Sequence, residues 1–244
     1  MISLQELRQV TMKKGRKPWL YWLFHRRVAL YFAWLFLHTP ITANQVTLLS
    51  VFAGLVAAAL FGSGEYRLAV IAAVMYQLHY ILDSVDGQMA RYTKSDQNPV
   101  GLYYDRLGSY FVESMVYLGI GIGAYQRFDE VMYLFLGFSM SLSWLFYKIT
   151  IGDKYRIYAE KGIVMQRPAP GAGRAQVETG ILVLLKQGFD AVGTLTRNPT
   201  VFSIITVAAF FHYTHIALVY GLVFPFVALG SFLYESRIKF KYAQ

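Results

Sequence analysis

The sequence predicts an all-α integral membrane protein, built as a single domain with six transmembrane helices, and three observations support this fold class. Of the 244 residues, 56% are hydrophobic and only 15% are charged, whereas a soluble domain carries about 25% charged residues. Several apolar runs approach the ~20 residues that a bilayer-spanning helix needs. Lysines and arginines are concentrated in alternate connections between those runs, as is usual in membrane proteins. The six runs lie at 46–61, 68–82, 110–124, 131–146, 201–211 and 216–233.

Residues 1–40 precede the six-helix core at 41–236 and are predicted to form a cytoplasmic and interfacial segment. Within them, the apolar stretch 19–38 is interrupted by Arg26 and Arg27. A spanning helix would carry these arginines at depth, at roughly 2.5–3.5 kcal/mol each. An amphipathic helix on the membrane surface lets both charged groups reach water. We therefore expect an interfacial helix before the first span.

The basic residues also indicate the orientation of the chain. With six spans, the N-terminal segment, the second and fourth connections and the C-terminal tail lie on one side, and the other connections hold only Arg67 and Arg127. The positive-inside rule then predicts that both termini are cytoplasmic. The net charge of +9 is explained by the same rule and by attraction to anionic lipid headgroups. We therefore expect no nucleic-acid partner.

Local signals mark the ends and the packing faces of the predicted spans. Thr42 and Gln45 match a capping box at the start of the first span. Small residues recur within the first and third spans, and their spacing permits close helix packing. These small residues are Ala53, Gly54, Ala57, Ala58, Gly119, Gly121 and Gly123.

The longest connection, at 152–199, joins the fourth and fifth spans. Residues 166–174 are rich in glycine and proline, which predicts a loop. Residues 177–195 place apolar side chains at helical spacing but also contain Lys186 and Asp190. This pattern predicts a surface helix.

Three acidic residues at the ends of apolar runs are predicted to converge. Asp83 and Asp86 are three residues apart and therefore share a helix face near the cytoplasmic end of the second span. Asp105 lies near the start of the third span, and the short connection between the two spans favours antiparallel neighbours. Two carboxylates ~4 Å apart repel by about 4 kcal/mol at an effective dielectric constant near 20. A salt-bridge network with Arg91 and Arg106 is the structural alternative to a divalent cation.

Carboxylate oxygens from separate helices suit Mg²⁺ or Mn²⁺, which also binds substrate phosphates. Gly87 and Ala90 follow on the second span, and Gly101 lies at the start of the third. Because these residues lack bulk, they leave room for a ligand to approach the backbone.

The motif from Asp83 to Asp105 resembles the signature of the CDP-alcohol phosphotransferase family. That signature runs D-x-x-D-G-x-x-A-R, then a spacer of eight or nine residues, then G-x-x-x-D-x-x-x-D. All its fixed residues except the last occur here in the same order. Residues 39–47, which include Pro40, Asn44 and Thr47, look like the P-N-x-x-T entry of the family to the first span.

The resemblance implies six membrane helices and the transfer of a substituted phosphoryl group from a CDP-alcohol to an acceptor, with release of CMP. This reaction would belong to phospholipid or related lipid-linked biosynthesis, with CDP-diacylglycerol as one candidate donor. The resemblance also implies a homodimer whose active site faces the cytoplasm. One or two Mg²⁺ or Mn²⁺ ions would be bound by Asp83, Asp86 and Asp105. The residues implied at the CDP pocket are Asn44, Thr47, Asp83, Gly87, Ala90, Arg91 and Gly101.

The last aspartate of the signature is replaced by Ser109. In the family this aspartate is the implied general base and a second-metal ligand, and a serine without an activating partner is no base. Glu113, one turn beyond Ser109, and His79, one turn before Asp83, are candidate substitutes. Each of these is more often a packed, hydrogen-bonded polar group. Alternatively, the acceptor is already anionic, the serine is an introduced substitution, or the chain binds a CDP-linked ligand without turnover.

Two other functions also depend on acidic residues within membrane helices. A cation transporter would place carboxylates along the depth of the membrane, whereas here they cluster at one edge. An intramembrane aspartyl protease would use Tyr104-Asp105 with a second, glycine-flanked aspartate in a partner loop on another helix, and we rank this function last. The sequence therefore favours the transferase over both.

Overall fold

The computed structural model describes residues 3–11, 20–95, 99–160 and 198–219. All regular secondary structure within these residues is helical, and they contain no β-strand. The helices are α1 (Leu4–Thr11), α2 (Leu20–Phe36), α3 (Ala43–Phe61), α4 (Tyr66–Thr93), α5 (Pro99–Phe128), α6 (Met132–Glu160) and α7 (Asn198–Phe210), followed by a 3₁₀ helix at Thr214–Val219.

Four helices are long and apolar enough to cross a bilayer, and they coincide with the first four predicted spans. These are Ala43–Phe61, Tyr66–Thr93, Val100–Phe128 and Met132–Thr150. The predicted fifth span corresponds to α7, whose 13 described residues extend about 20 Å, less than the ~30 Å of a bilayer core. The sixth span lies mostly outside the described residues, as do the loop at 166–174 and the surface helix at 177–195. Six spans and cytoplasmic termini therefore remain predictions.

The start of α3 confirms the predicted capping box. The backbone N–H of Gln45 donates to Thr42 Oγ1 at 3.3 Å, and the backbone N–H of Thr42 donates to Gln45 Oε1 at 2.9 Å. These bonds satisfy N–H groups that have no partner inside the helix. The cap begins α3 at Ala43, so that Asn44 and Thr47 lie on its first turns.

Helix α3 packs against both α4 and α5, whereas α4 and α5 have little close backbone contact with each other. This arrangement differs from the prediction that the two aspartate-bearing helices are direct neighbours. The short connection brings their ends together, but each helix makes its main contact with α3. The candidate site is therefore assembled by three helices.

Glycines allow these helices to approach closely. A Cβ at Gly119 would overlap the carbonyl of Ala58, and one at Gly123 would overlap the carbonyl of Phe61. Gly121 faces α6 in the same way. The predicted small-residue faces are thus used for packing within the chain.

Helix α2 packs on the aspartate-bearing end of α4. His25 Nε2 lies 2.7 Å from Gln77 Oε1, and Gln88 Nε2 donates to the carbonyl of Arg26 at 3.3 Å. Apolar residues of both helices, with Leu7 and Val46, form one buried cluster. The described part of α2 is a continuous helix, as the interfacial prediction requires, and its depth in a membrane stays a prediction.

Candidate functional site

Asp83, Asp86 and Asp105 lie at one end of the α3, α4 and α5 group. Asp86 is buried, with 4% of its surface exposed, and the other two are half-buried. Each carboxylate lies within electrostatic range of the other two. The site therefore concentrates negative charge at the boundary between the apolar helices and the α4–α5 connection.

Thr47 connects α3 to the most buried of these carboxylates. Its Oγ1 lies 2.6 Å from Asp86 Oδ2 and 3.1 Å from the carbonyl oxygen of Ala43. A hydroxyl has one proton to donate, and the charged, closer acceptor forms the stronger bond. The backbone of Gly87 also hydrogen-bonds Asp86. Asp86 is thus held in place from two helices.

Ser109 faces the carboxylate cluster. Its Oγ donates to Asp83 Oδ1 at 2.9 Å, which links α5 to α4. This contact uses the hydroxyl as a donor, so Ser109 can orient Asp83. A neutral serine hydroxyl is a far weaker base than the carboxylate to which it donates, so this contact favours a positioning role for Ser109.

The donor types at the site fit a divalent cation. Carboxylate oxygens are the preferred protein ligands of Mg²⁺ and Mn²⁺, and a cation would relieve the mutual repulsion of the three aspartates. Among the described residues, no three acidic or histidine side chains form a group that could hold a metal ion as they stand. Binding an ion therefore requires the carboxylates to turn toward a common point.

The residues predicted at the CDP pocket lie on the same end of the helix group. A Cβ at Gly87 would stand 3.4 Å from a guanidinium nitrogen of Arg91, and one at Gly101 would stand 3.3 Å from Asn44 Oδ1. Arg91 therefore folds back over Gly87, and the start of α3 meets the start of α5. Ala90 is half-buried on the last turns of α4.

Glu113 is engaged away from the aspartates, in a buried ion pair between α5 and α6. Lys148 Nζ lies 2.9 Å from Glu113 Oε2, and the Trp144 indole N–H donates to the same oxygen. The side chains of Lys148 and Glu113 are 15% and 3% exposed. This ion pair was not predicted from the sequence. The signal that could have found it is one ionisable residue inside each of two consecutive spans.

His79 is also engaged in contacts between helices. Its Nδ1 lies 2.9 Å from Ser50 Oγ and 3.0 Å from the Ser50 carbonyl oxygen. The ring is 2% exposed and stacks on Tyr76. These contacts join α4 to α3 and are typical of a packed polar group.

A groove of about 580 Å³, which was not predicted from the sequence, lies between α3 and α5. Asn44 and Thr47 form its polar end. The rest of the lining is apolar or lacks a side chain. These residues are Leu48, Val51, Tyr104, Leu107, Gly108 and Phe111.

No protein-family model matches the chain. Over 91 residues the chain is 31% identical to a protein of Rubrobacter xylanophilus named bifunctional IPC transferase and DIPP synthase. The aligned region covers 37% of this chain and 20% of that protein, so the chain spans about a fifth of the relative's length. The chain is therefore distantly similar, over part of its length, to a protein named as a transferase.

Proposed function

We propose that this protein transfers a substituted phosphoryl group from a CDP-alcohol to an acceptor and releases CMP, in a metal-dependent reaction of lipid-linked biosynthesis. The observation that carries the proposal is the buried Asp86, held by Thr47 and set within range of Asp83 and Asp105 at one end of three membrane-length helices. The partial similarity to a protein named as a transferase supports the same class of reaction.

Asp83, Asp86 and Asp105 would hold one or two Mg²⁺ or Mn²⁺ ions. When bound, such an ion neutralises the charge of a diphosphate and stabilises the negative charge that builds up on a leaving phosphate. Thr47 and Ser109 orient two of the carboxylates, and groups that orient metal ligands contribute strongly to metal affinity. A serine at position 109 supplies one negative charge fewer than an aspartate, which favours a single tightly bound ion.

The remaining residues would bind and orient the CDP-alcohol. Arg91 lies over Gly87 beside the aspartates, where its guanidinium can pair with phosphate oxygens. Asn44 and Gly101 adjoin the cluster from α3 and α5. An acceptor oxygen would attack the phosphorus that bears the alcohol, and the bond from this phosphorus to the oxygen of CMP would break. CMP then leaves, and the proton of a hydroxyl acceptor passes to water.

The reaction does not require a strong base at position 109. Positioning of the reactants and stabilisation of the charge on the leaving CMP can supply much of the catalysis. The contacts of Glu113 and His79 favour structural roles for both. We therefore propose that Ser109 is a positioning residue for Asp83 and that turnover is compatible with the missing aspartate.

Release of CMP from CDP-alcohols by purified protein in lipid nanodiscs, with Mn²⁺ and a panel of hydroxyl-bearing and phosphorylated acceptors present, tests the proposal. We expect turnover that Asp86→Asn lowers by at least about a hundredfold, because a ligand group is lost. Asp129→Asn, an exposed acid on the α5–α6 connection, is the matched control and should retain activity. Full activity of Asp86→Asn would refute the proposal.

A CDP-linked ligand that binds without turnover would instead indicate a non-catalytic relative. Ser109→Asp separates the two cases. If the natural chain binds CDP but releases no CMP from any donor, and Ser109→Asp does release it, the serine has removed catalysis.

We further propose that the site faces the cytoplasm and that the protein is a homodimer. The positive-inside pattern supports the first point. The glycine faces are occupied within the chain, so a dimer would use other helix surfaces. Labelling of a cysteine introduced at Ser95 from either side of sealed vesicles tests the orientation, and label from the periplasmic or lumenal side alone would contradict it.

A further inference from the structure

Helix α1 is tied to the part of α4 that carries the proposed ligand-binding residues. It packs against α2 and α4, and Leu7, at its centre, has 0% of its surface exposed. Leu7 belongs to the same buried cluster as Val85 and Met89 of α4. Asp86 and Gly87 lie between these two residues in the sequence. The cluster that holds α1 is therefore formed at the same turns of α4 as the proposed site.

The face of α4 that contributes to this cluster adjoins the face that bears the aspartates. Successive residues of an α-helix are rotated by about 100°. Asp86 is therefore about 100° from Val85 and about 60° from Met89 around the helix axis. The ends of a helix open more readily than its middle, and Arg91 lies in the last turn of α4. Packing of α1 and α2 on these turns therefore helps to keep the proposed ligand-binding residues in place.

Helix α1 is too short to be stable by itself. It has 8 residues, whereas isolated helices shorter than about 12–15 residues are marginal in water. Its side-chain hydrogen bonds are local: Ser3 Oγ accepts from the backbone N–H of Glu6 at 3.1 Å. Thr11 Oγ1 donates to the carbonyl of Leu7 at 2.7 Å. The helix therefore depends on the packing of Leu7 and the partly buried Leu4 in the cluster, so that undocking and unfolding of α1 are coupled.

We propose that α1 is a strap that holds the ligand-binding end of α4, that Leu7 is its positioning residue, and that a CDP-alcohol bound at this end holds the strap in return. The inference rests on the proposed function, because Asp86, Gly87 and Arg91 must bind this ligand. Coupling between two binding equilibria is reciprocal. If docking of α1 strengthens ligand binding, ligand binding must strengthen docking by the same factor. An α1 that only stabilises the fold would show no such coupling.

Ligand binding and turnover measure one direction of this coupling. Leu7→Asp places a charge in the apolar cluster and should undock α1. If α1 then stays docked in about one molecule in ten, the apparent dissociation constant for CDP with Mn²⁺ and the KM for the donor should both rise about tenfold. The kcat at saturating donor should not change, because bound ligand draws α1 back. Val10→Asp, at a position of α1 that is 52% exposed, is the matched control and should leave all three values unchanged.

Two results with Leu7→Asp would overturn the proposal. A lower kcat with an unchanged KM would mean that α1 acts on the chemical step and not on binding. A lower melting temperature with no change in KM or in the dissociation constant would give Leu7 a structural role alone.

Cysteine labelling measures the reverse direction and does not need turnover. The chain contains no cysteine, so an introduced one reports on a single position. In nanodiscs, Leu7→Cys should react with a maleimide at least about fivefold more slowly when CDP and Mn²⁺ are present, which is the low end of ordinary coupling. Thr11→Cys, at the other buried position of α1, should show the same protection. Val10→Cys should react at the same rate in both conditions.

The labelling also separates the strap from a general effect and from the reaction. Slowing of Val10→Cys as large as that of Leu7→Cys would overturn the strap, because the whole segment would then be shielded. If CMP release depends on Asp86 but neither buried position is protected, the reaction stands and the strap is refuted. If CDP and Mn²⁺ protect both buried positions but no donor releases CMP, the reaction is refuted and a strap coupled to CDP binding remains.

Discussion

Replacement of Thr47 by valine removes one hydroxyl and retains the shape of the side chain. The contact from Thr47 Oγ1 to Asp86 Oδ2 is short, at 2.6 Å, and its acceptor is 4% exposed. A hydrogen bond to a charged group contributes roughly 1.5–3 kcal/mol. If this energy holds Asp86 in its ligating position, we expect metal affinity to fall about 10- to 100-fold, which corresponds to about 1.4–2.8 kcal/mol. The two magnitudes agree.

The assay is a calorimetric titration of Mn²⁺ into protein held at saturating CDP, with CMP release measured in parallel. Thr47→Ser retains the hydroxyl and should keep most of the affinity. Thr39→Val is the matched control, because Thr39 is exposed and donates only to a local carbonyl, that of Phe36. It should bind Mn²⁺ as the natural protein does.

Thermal unfolding separates loss of binding from loss of fold. Thr47→Val should lower the melting temperature by no more than about 10 °C, because only the hydrogen bond to Asp86 is lost and the valine preserves packing. If Thr47→Val binds Mn²⁺ with unchanged affinity, Asp86 does not depend on Thr47 for its position, and the reasoning from this contact is wrong.

Three further predictions concern the helices around the site. Lys148→Met removes the cation that lies 2.9 Å from the buried Glu113 carboxylate and should cost about 3–5 kcal/mol of stability. Addition of Glu113→Gln should recover much of this loss in detergent melts, and no recovery would contradict the ion pair. Gly119→Ala places a Cβ against the carbonyl of Ala58 and should lower the melting temperature by several degrees, whereas Gly152→Ala, with nothing within 4 Å, should not. Burial, together with the neighbouring Arg127 and His212, lowers the pKa of His215. Below about pH 6.5 the unfolded chain therefore gains a proton before the folded protein does, and the stability of the fold should decrease. His215→Asn should reduce this decrease, as measured by melting temperatures across that pH range.

Features set by nearby residues could be predicted from the sequence. The capping box depends on Thr42 and Gln45, three residues apart, and the structure contains both of its bonds. Glycine spacing in α5 predicted close helix contact, and Gly119 and Gly123 make it with α3. The residues of the aspartate motif likewise lie within 23 positions of one another, so helix periodicity and a short connection were enough to place them at one end.

Features that depend on how the helices are rotated and arranged could not be predicted from the sequence. Glu113 and Lys148 are 35 residues apart, and their pairing depends on which faces of α5 and α6 meet. Helix periodicity placed Glu113 on the Ser109 side, but a side chain of this length reaches α6 instead. The central position of α3, which creates the groove and brings Thr47 to Asp86, follows from packing of the whole group. No local pattern encodes it.

A structure determined with CDP and Mn²⁺, with the metal located by its anomalous scattering, tests the proposed chemistry most directly. We expect the ion to lie about 2.1 Å from carboxylate oxygens of Asp83, Asp86 and Asp105 and to contact the diphosphate. An ion bound by other residues, with these three carboxylates still turned apart while CDP is present, would contradict the proposal.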